Sequence, residues 1–191
     1  MPSVRCAVAG LLALCLPLAL ALPGGAPAST CGSMAPAHAS ISPQTGSSPH
    51  SVNASVGNGT VEVRIMGPTY KGLLLQAREP NMNVAVGTWS TPPMDTKTLA
   101  CFNSENSSIT HSNTKDKSSN VVYTWNPPSN NCIKVAFVAT VAQSKETYWL
   151  KLRSNEIEVN CNSGGGGNGA VKTTFGFAMV LSGLLVRLAA F

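Results

Sequence analysis

Apolar and polar residues alternate cleanly over Val61-Glu62-Val63-Arg64-Ile65, and a second apolar run follows at Tyr70-Lys-Gly-Leu-Leu-Leu-Gln-Ala-Arg78. Alternation with a period of two is the signature of a strand that buries one face. The two runs are separated by Met66-Gly67-Pro68-Thr69, which predicts consecutive strands joined as a hairpin. In the second run Leu73, Leu75 and Ala77 share one face, and Leu74, Gln76 and Arg78 share the other. A strand this apolar belongs in the middle of a sheet. Cys132–Ala142 is the longest run. Ile133, Val135, Phe137, Ala139 and Val141 line one face, and Ala136, Val138 and Ala142 leave the other apolar too, so it is also expected to be central. Further strands are predicted at Val84–Trp89, Leu99–Phe102, Val121–Trp125, Tyr148–Arg153 and Glu156–Cys161. Ala39–Asn58 reads as an irregular edge segment and Ser104–Asn120 as a polar stretch. No apolar period of 3.6 extends over ten residues. About eight short strands in a core of this length predict an all-β, antiparallel β-sandwich. Met34, Trp89, Trp125 and Trp149 are expected as packing residues.

The two ends carry processing signals. Residues 1–21 have a basic start at Arg5, an apolar stretch and a small-residue exit at Ala19-Leu20-Ala21, the pattern of a secretory signal peptide. A second acceptable cleavage point follows Ala28. Residues 22–30 read as a flexible lead and 31–161 as the domain. Residues 162–174 form a Gly-rich polar spacer, and 175–191 an apolar tail interrupted by Ser182 and Arg187. Small residues, a spacer and a short apolar tail are the pattern for glycosylphosphatidylinositol (GPI) attachment. Ser163 is the expected site, with Asn162 and Asn168 as alternatives; a retained membrane helix is the competing reading. The expected location is the extracellular face of the plasma membrane, on the outer leaflet, with secretion as the alternative.

Charge changes the picture little. The chain carries 13 Lys and Arg against 8 Asp and Glu. Removing Arg5, Lys172 and Arg187 with the processed ends leaves a net charge of +2. With no basic run and no basic-aromatic interleaving, nucleic acid is not expected as a partner. Cys6 and Cys15 fall in the signal peptide. Cys31, Cys101, Cys132 and Cys161 remain, an even number that predicts two disulfides in one of three connectivities. Their wide spacing does not suit a zinc site. Three sequons begin at Asn53, Asn58 and Asn106 and predict glycosylated, solvent-facing loops.

Cys31-x-x-Met34-x-Pro36-x-His38, Gly72-Leu-Leu-Leu-Gln76-Ala77-Arg78, Gly87-Thr-Trp89, Thr110-His111-Ser112 and Trp125-x-x-Pro128 occur in the order found in the reeler (reelin N-terminal) domain, and the chain resembles that family from Cys31 to about Cys161. The resemblance implies an immunoglobulin-like sandwich and the pairings Cys31–Cys101 and Cys132–Cys161. Single-domain members are insect and invertebrate defence proteins linked to recognition of microbial surfaces. Larger members are spondins, reelin and ferric-chelate reductases, whose haem and multi-span segments have no counterpart here.

No nucleophile motif of the G-x-S-x-G type is present, and the histidines His38, His50 and His111 lack a neighbouring ligand cluster. Neither catalysis nor a cofactor is expected. Arg78 is expected to pair with an acid. Arg78, His38 and His111 are the residues with a possible role in ligand contact. The expected partner is a microbial surface glycan or lipid, or alternatively an extracellular protein or matrix component in an adhesion or signalling role.

Overall fold

The computed structural model describes residues 23–36, 41–128 and 132–161. The expected signal peptide, His38, the GPI candidates Asn162, Ser163 and Asn168, and the apolar tail lie outside the described residues.

Every paired strand is antiparallel. β1 (Ser51–Val56), β2 (Val61–Met66), β7 (Tyr123–Asn126) and β4 (Thr88–Trp89) form a four-stranded sheet in the order β1-β2-β7-β4. The second sheet runs β10 (Ile157–Val159), β8 (Ile133–Ala142), β3 (Gly72–Arg78), β6 (Ser104–His111) and β5 (Thr96–Cys101), with β9 (Tyr148–Arg153) also paired to β8. Inward residues of both sheets meet in one apolar core. Val61, Val63 and Ile65 come from β2, Leu73, Leu75 and Ala77 from β3, and Val135, Phe137, Ala139 and Val141 from β8. The phase that the alternation predicts for these strands is the phase observed. Trp89 and Trp125 each present an edge to Phe137, with centroids 5.8 and 5.5 Å away. Their indole N–H groups donate to the carbonyls of Ser107 and Val86, which lets two large aromatics be buried without an orphan donor.

Several expectations need correction. β2 and β3 are not a hairpin: β2 pairs with β1 and β7, whereas β3 pairs with β6 and β8. Gly67 has φ +107°, and a Cβ there would run into the Pro49 carbonyl. This turn sends the chain from one sheet to the other, a course open only to glycine. Ser51–Val56, expected to be irregular, is an edge strand, and Ser104–His111 is an eight-residue strand within the expected polar stretch. The strand expected over Val84–Trp89 shrinks to two residues. The lead over 23–30 is packed, with Gly25 and Thr30 buried and a 3₁₀ turn at Ala28–Thr30. Disulfides join Cys31 to Cys101 and Cys132 to Cys161.

Candidate functional site

β3 is buried on both faces. Its inner face belongs to the core. Its outer face is covered by the N-terminal segment 23–36, a strap laid over the six-stranded sheet. The apolar part of the contact is Met34 against Leu74 and Val138, with Ala26, Leu99 and Leu150 around them. The polar part comes from the strand residues beneath. Gln76 Nε2 donates to the Cys31 carbonyl, and Thr140 Oγ1 donates to the Met34 carbonyl at 2.8 Å. Thr110 Oγ1 accepts from the Ala26 N–H at 2.8 Å and donates to the Leu73 carbonyl. An irregular segment has no ladder to satisfy its backbone, so side chains of the sheet must do it. At Gly25 (φ +120°) the strap passes so close that a Cβ would lie 2.6 Å from the His111 carbonyl oxygen.

Arg78 is 1% exposed and belongs to this brace. Its Nε donates to Gln76 Oε1 at 2.8 Å, Nη1 to Asn83 Oδ1, and Nη2 to the carbonyls of Cys31 (2.7 Å) and Gly32. The expected acidic partner is replaced by neutral acceptors; among the described residues Arg78 makes no salt bridge. Burial, and secondarily the Arg153 charge, lowers its pKa. A guanidinium in this position fastens the strap and does not face a ligand. His111 is half-buried at the end of β6, and its Nδ1 accepts from the Leu73 N–H at 3.2 Å. That lone pair is used inside the fold. Among the described residues no cluster of three His, Cys, Asp or Glu could hold a metal ion, and no helix there is long and apolar enough to cross a membrane.

Sequence reasoning missed Lys117. Its ammonium is buried and donates to three backbone carbonyls, those of Lys71 (3.0 Å), Asn113 and Lys115 (2.9 Å). Burial lowers its pKa, and the charges of Asp95 and Asp116 oppose that shift. The partners are backbone atoms, so nothing in the side-chain pattern announces the cage. Its effect is to fix the backbone of Lys71 at the entry to β3.

Where strap and sheet part, at the start of β3, a groove of about 200 Å³ opens. Its floor is Gly72, Leu74 and Ala142; its wall is the strap residues Ala26, Pro27, Met34 and Pro36. Lys71, His111 and Lys145 stand at its rim. The strand registers place this groove at one end of the molecule. Gly72 pairs with Ala142 there, whereas Arg78 pairs with Ala136 and Val159 pairs with Ile133 at the other end. The chain therefore leaves the domain at Cys161 on the end opposite the groove. All three sequon asparagines, Asn53, Asn58 and Asn106, are exposed.

The sequence profile of the reeler domain matches residues 29–164. The chain belongs to the reeler-domain family. Among its relatives, "Putative defense protein 3" of Antheraea mylitta is 36% identical over 152 residues, covering 75% of this chain and 90% of that protein. Mouse "Ferric-chelate reductase 1" is 30% identical over 151 residues, 72% of this chain but 24% of the enzyme. The overlap with the reductase is thus confined to the reeler part. The crystal structure of the human F-spondin reeler domain is similar with a TM-score of 0.48 at 15% identity, over 62% of this chain and 94% of that one.

Proposed function

We propose that this reeler protein is a non-enzymatic binding protein of innate defence, displayed outside the cell, which recognises microbial surfaces with the groove end of the domain. The observation that carries the reading is the position of the groove. It is a concave, apolar feature with exposed lysines, at the end opposite the exit of the chain. A GPI anchor at Ser163, or any other tether beyond Cys161, would hold that end outward. Two sheets facing across one core support the immunoglobulin-like sandwich. Two disulfides and three exposed sequons suit an oxidising, extracellular compartment. The defence relatives match over nine-tenths of their length, whereas the reductases share a quarter of theirs, so redox chemistry is not carried over.

A second reading, adhesion to an extracellular protein, draws on Met82, Val84 and Phe102. These apolar residues are 52, 41 and 41% exposed, in the β3–β4 and β5–β6 connections at the other end.

Two measurements test the first reading. Phosphatidylinositol-specific phospholipase C should release the protein from intact cells with a C-terminus at or near Ser163. The released protein should bind whole bacteria saturably and bind host cells poorly. Binding to host cells alone would favour the adhesion reading.

A further inference from the structure

The groove is selective in what it offers. Its walls and floor present Ala26, Pro27, Met34, Pro36, Leu74 and Ala142. Three of the four hydroxyls that line it, all but Thr114, already give their protons to backbone or side-chain oxygens. Thr30 Oγ1 donates to the Pro27 carbonyl, Thr140 Oγ1 to the Met34 carbonyl, and Ser144 Oγ to Glu146 Oε2. A sugar ring, which needs several free partners, would be poorly served. An apolar chain gives up no hydrogen bond by entering and gains the burial of its methylenes, roughly 0.8 kcal/mol each when fully covered.

The rim supplies the complementary charge. Lys71 and Lys145 are exposed lining residues, and among the described residues neither makes a salt bridge. Among the described residues no Asp or Glu lines the groove. Glu146, next to Lys145, lies outside the lining and takes the Ser144 hydrogen bond. Both lysines rise from fixed backbone. The Lys71 N–H donates to the Ala142 carbonyl at 2.8 Å and the Lys71 carbonyl accepts from Lys117. Lys145 sits in a turn closed by the bond from Gln143 N to the Thr147 carbonyl. Size narrows the ligand further. About 200 Å³ is below the range of roughly 300–1,000 Å³ usual for drug-sized ligands, which leaves room for part of a narrow flexible chain and not for a fused ring system.

We propose that the groove between the strap and the start of β3 holds the chain of a long-chain fatty acid, with its carboxylate between Lys71 and Lys145. The proposal names the ligand class for the end assigned above and rests on that choice of binding end. The test uses the natively oxidised mature protein and monomeric palmitate, displaced against fluorescent cis-parinaric acid. Saturable one-to-one binding is expected. The exposed-site double variant K71E/K145E should weaken it at least about tenfold while leaving the unfolding midpoint unchanged. A26F, which fills the groove from the strap, should weaken palmitate and its uncharged counterpart hexadecanol alike. Absence of saturable palmitate binding overturns the proposal. So does hexadecanol binding as tightly as palmitate with K71E/K145E indistinguishable from wild type. Binding of whole bacteria is scored separately. If bacteria are bound and palmitate is not, the fatty-acid site falls and the recognition reading stands; the reverse result sinks the recognition reading alone.

Discussion

Arg78 reaches 47 positions back along the chain to the carbonyl of Cys31, and its Nη2 lies 2.7 Å from that oxygen. The same guanidinium holds Gly32, Asn83 and Gln76. Lysine cannot reproduce a planar fork with four acceptors. Arg78→Lys should therefore cost about 2–4 kcal/mol, because buried carbonyls lose donors that water cannot replace. Urea unfolding reads the loss. A change below about 0.5 kcal/mol would mean that the strap is held without Arg78.

The hydroxyls of Tyr70 and Tyr123 meet at 2.9 Å in the core. Each single Phe variant leaves one buried hydroxyl without its partner and should cost about 1–2 kcal/mol. The double variant removes both hydroxyls and should cost less than the two singles added, so a double-mutant cycle should show the two sites to be coupled and not additive. Burial also pushes the Tyr70 phenol up to about 12 and raises Tyr123. The native state retains these protons where the unfolded chain loses them, so stability present below pH 10 falls as pH rises toward 12. Y70F/Y123F should flatten that alkaline limb.

His50 is buried, with its ring set edgewise against Trp149 and Tyr70 at centroid distances of 5.2 and 6.2 Å. Burial lowers its pKa, and the Met66 backbone opposes this weakly. A histidine whose native pKa lies below its unfolded value of 6.5 binds its proton more readily when unfolded. Stability is then complete above pH 6.5 and declines as pH falls through the native pKa. His50→Phe keeps the ring contacts and should remove that part of the acid slope. The check is the difference in urea midpoint between pH 7.5 and pH 5 for wild type and variant.

The disulfides close loops with separations of 70 and 29 residues. Chain entropy gives the longer one about 4 kcal/mol and the shorter about 3.5 kcal/mol. Paired serine substitutions should rank in that order by thermal unfolding. Alkylation of the native, unreduced protein should add no mass at Cys31, Cys101, Cys132 or Cys161.

The strands legible in the sequence were those whose burial is written in their own residues. β2 alternates, β8 is apolar on both faces and β3 is apolar near its start, so which side chains face the core follows directly, whereas the partners of β2 and β3 do not. β6 reads Ser-Glu-Asn-Ser-Ser-Ile-Thr-His and has little apolar content; β5 and β3 make it a strand by flanking it. β1 is an edge strand of small residues that depends on β2. β2 and β3 are adjacent in sequence yet lie in different sheets, with the chain crossing between them through the turn at Gly67. At the site, Gln76, Arg78, Thr110 and Met34 were visible as motif residues. Their common purpose was not, because they serve the backbone of an irregular strap. Lys117 left no trace for the same reason.

One covalent link also sets where the domain bears load. Tension on the chain beyond Cys161 would otherwise fall on β10, a three-residue edge strand that could be peeled away one hydrogen bond at a time. The bond to Cys132 passes that tension to the head of β8, a ten-residue strand paired on both sides in the larger sheet. Pulling β8 requires its pairing with β3 to shear as a block. β8 also carries Thr140, which holds the strap through the Met34 carbonyl, and Ala142, which floors the groove, so tension on the C-terminal side runs through the strand beneath the far end.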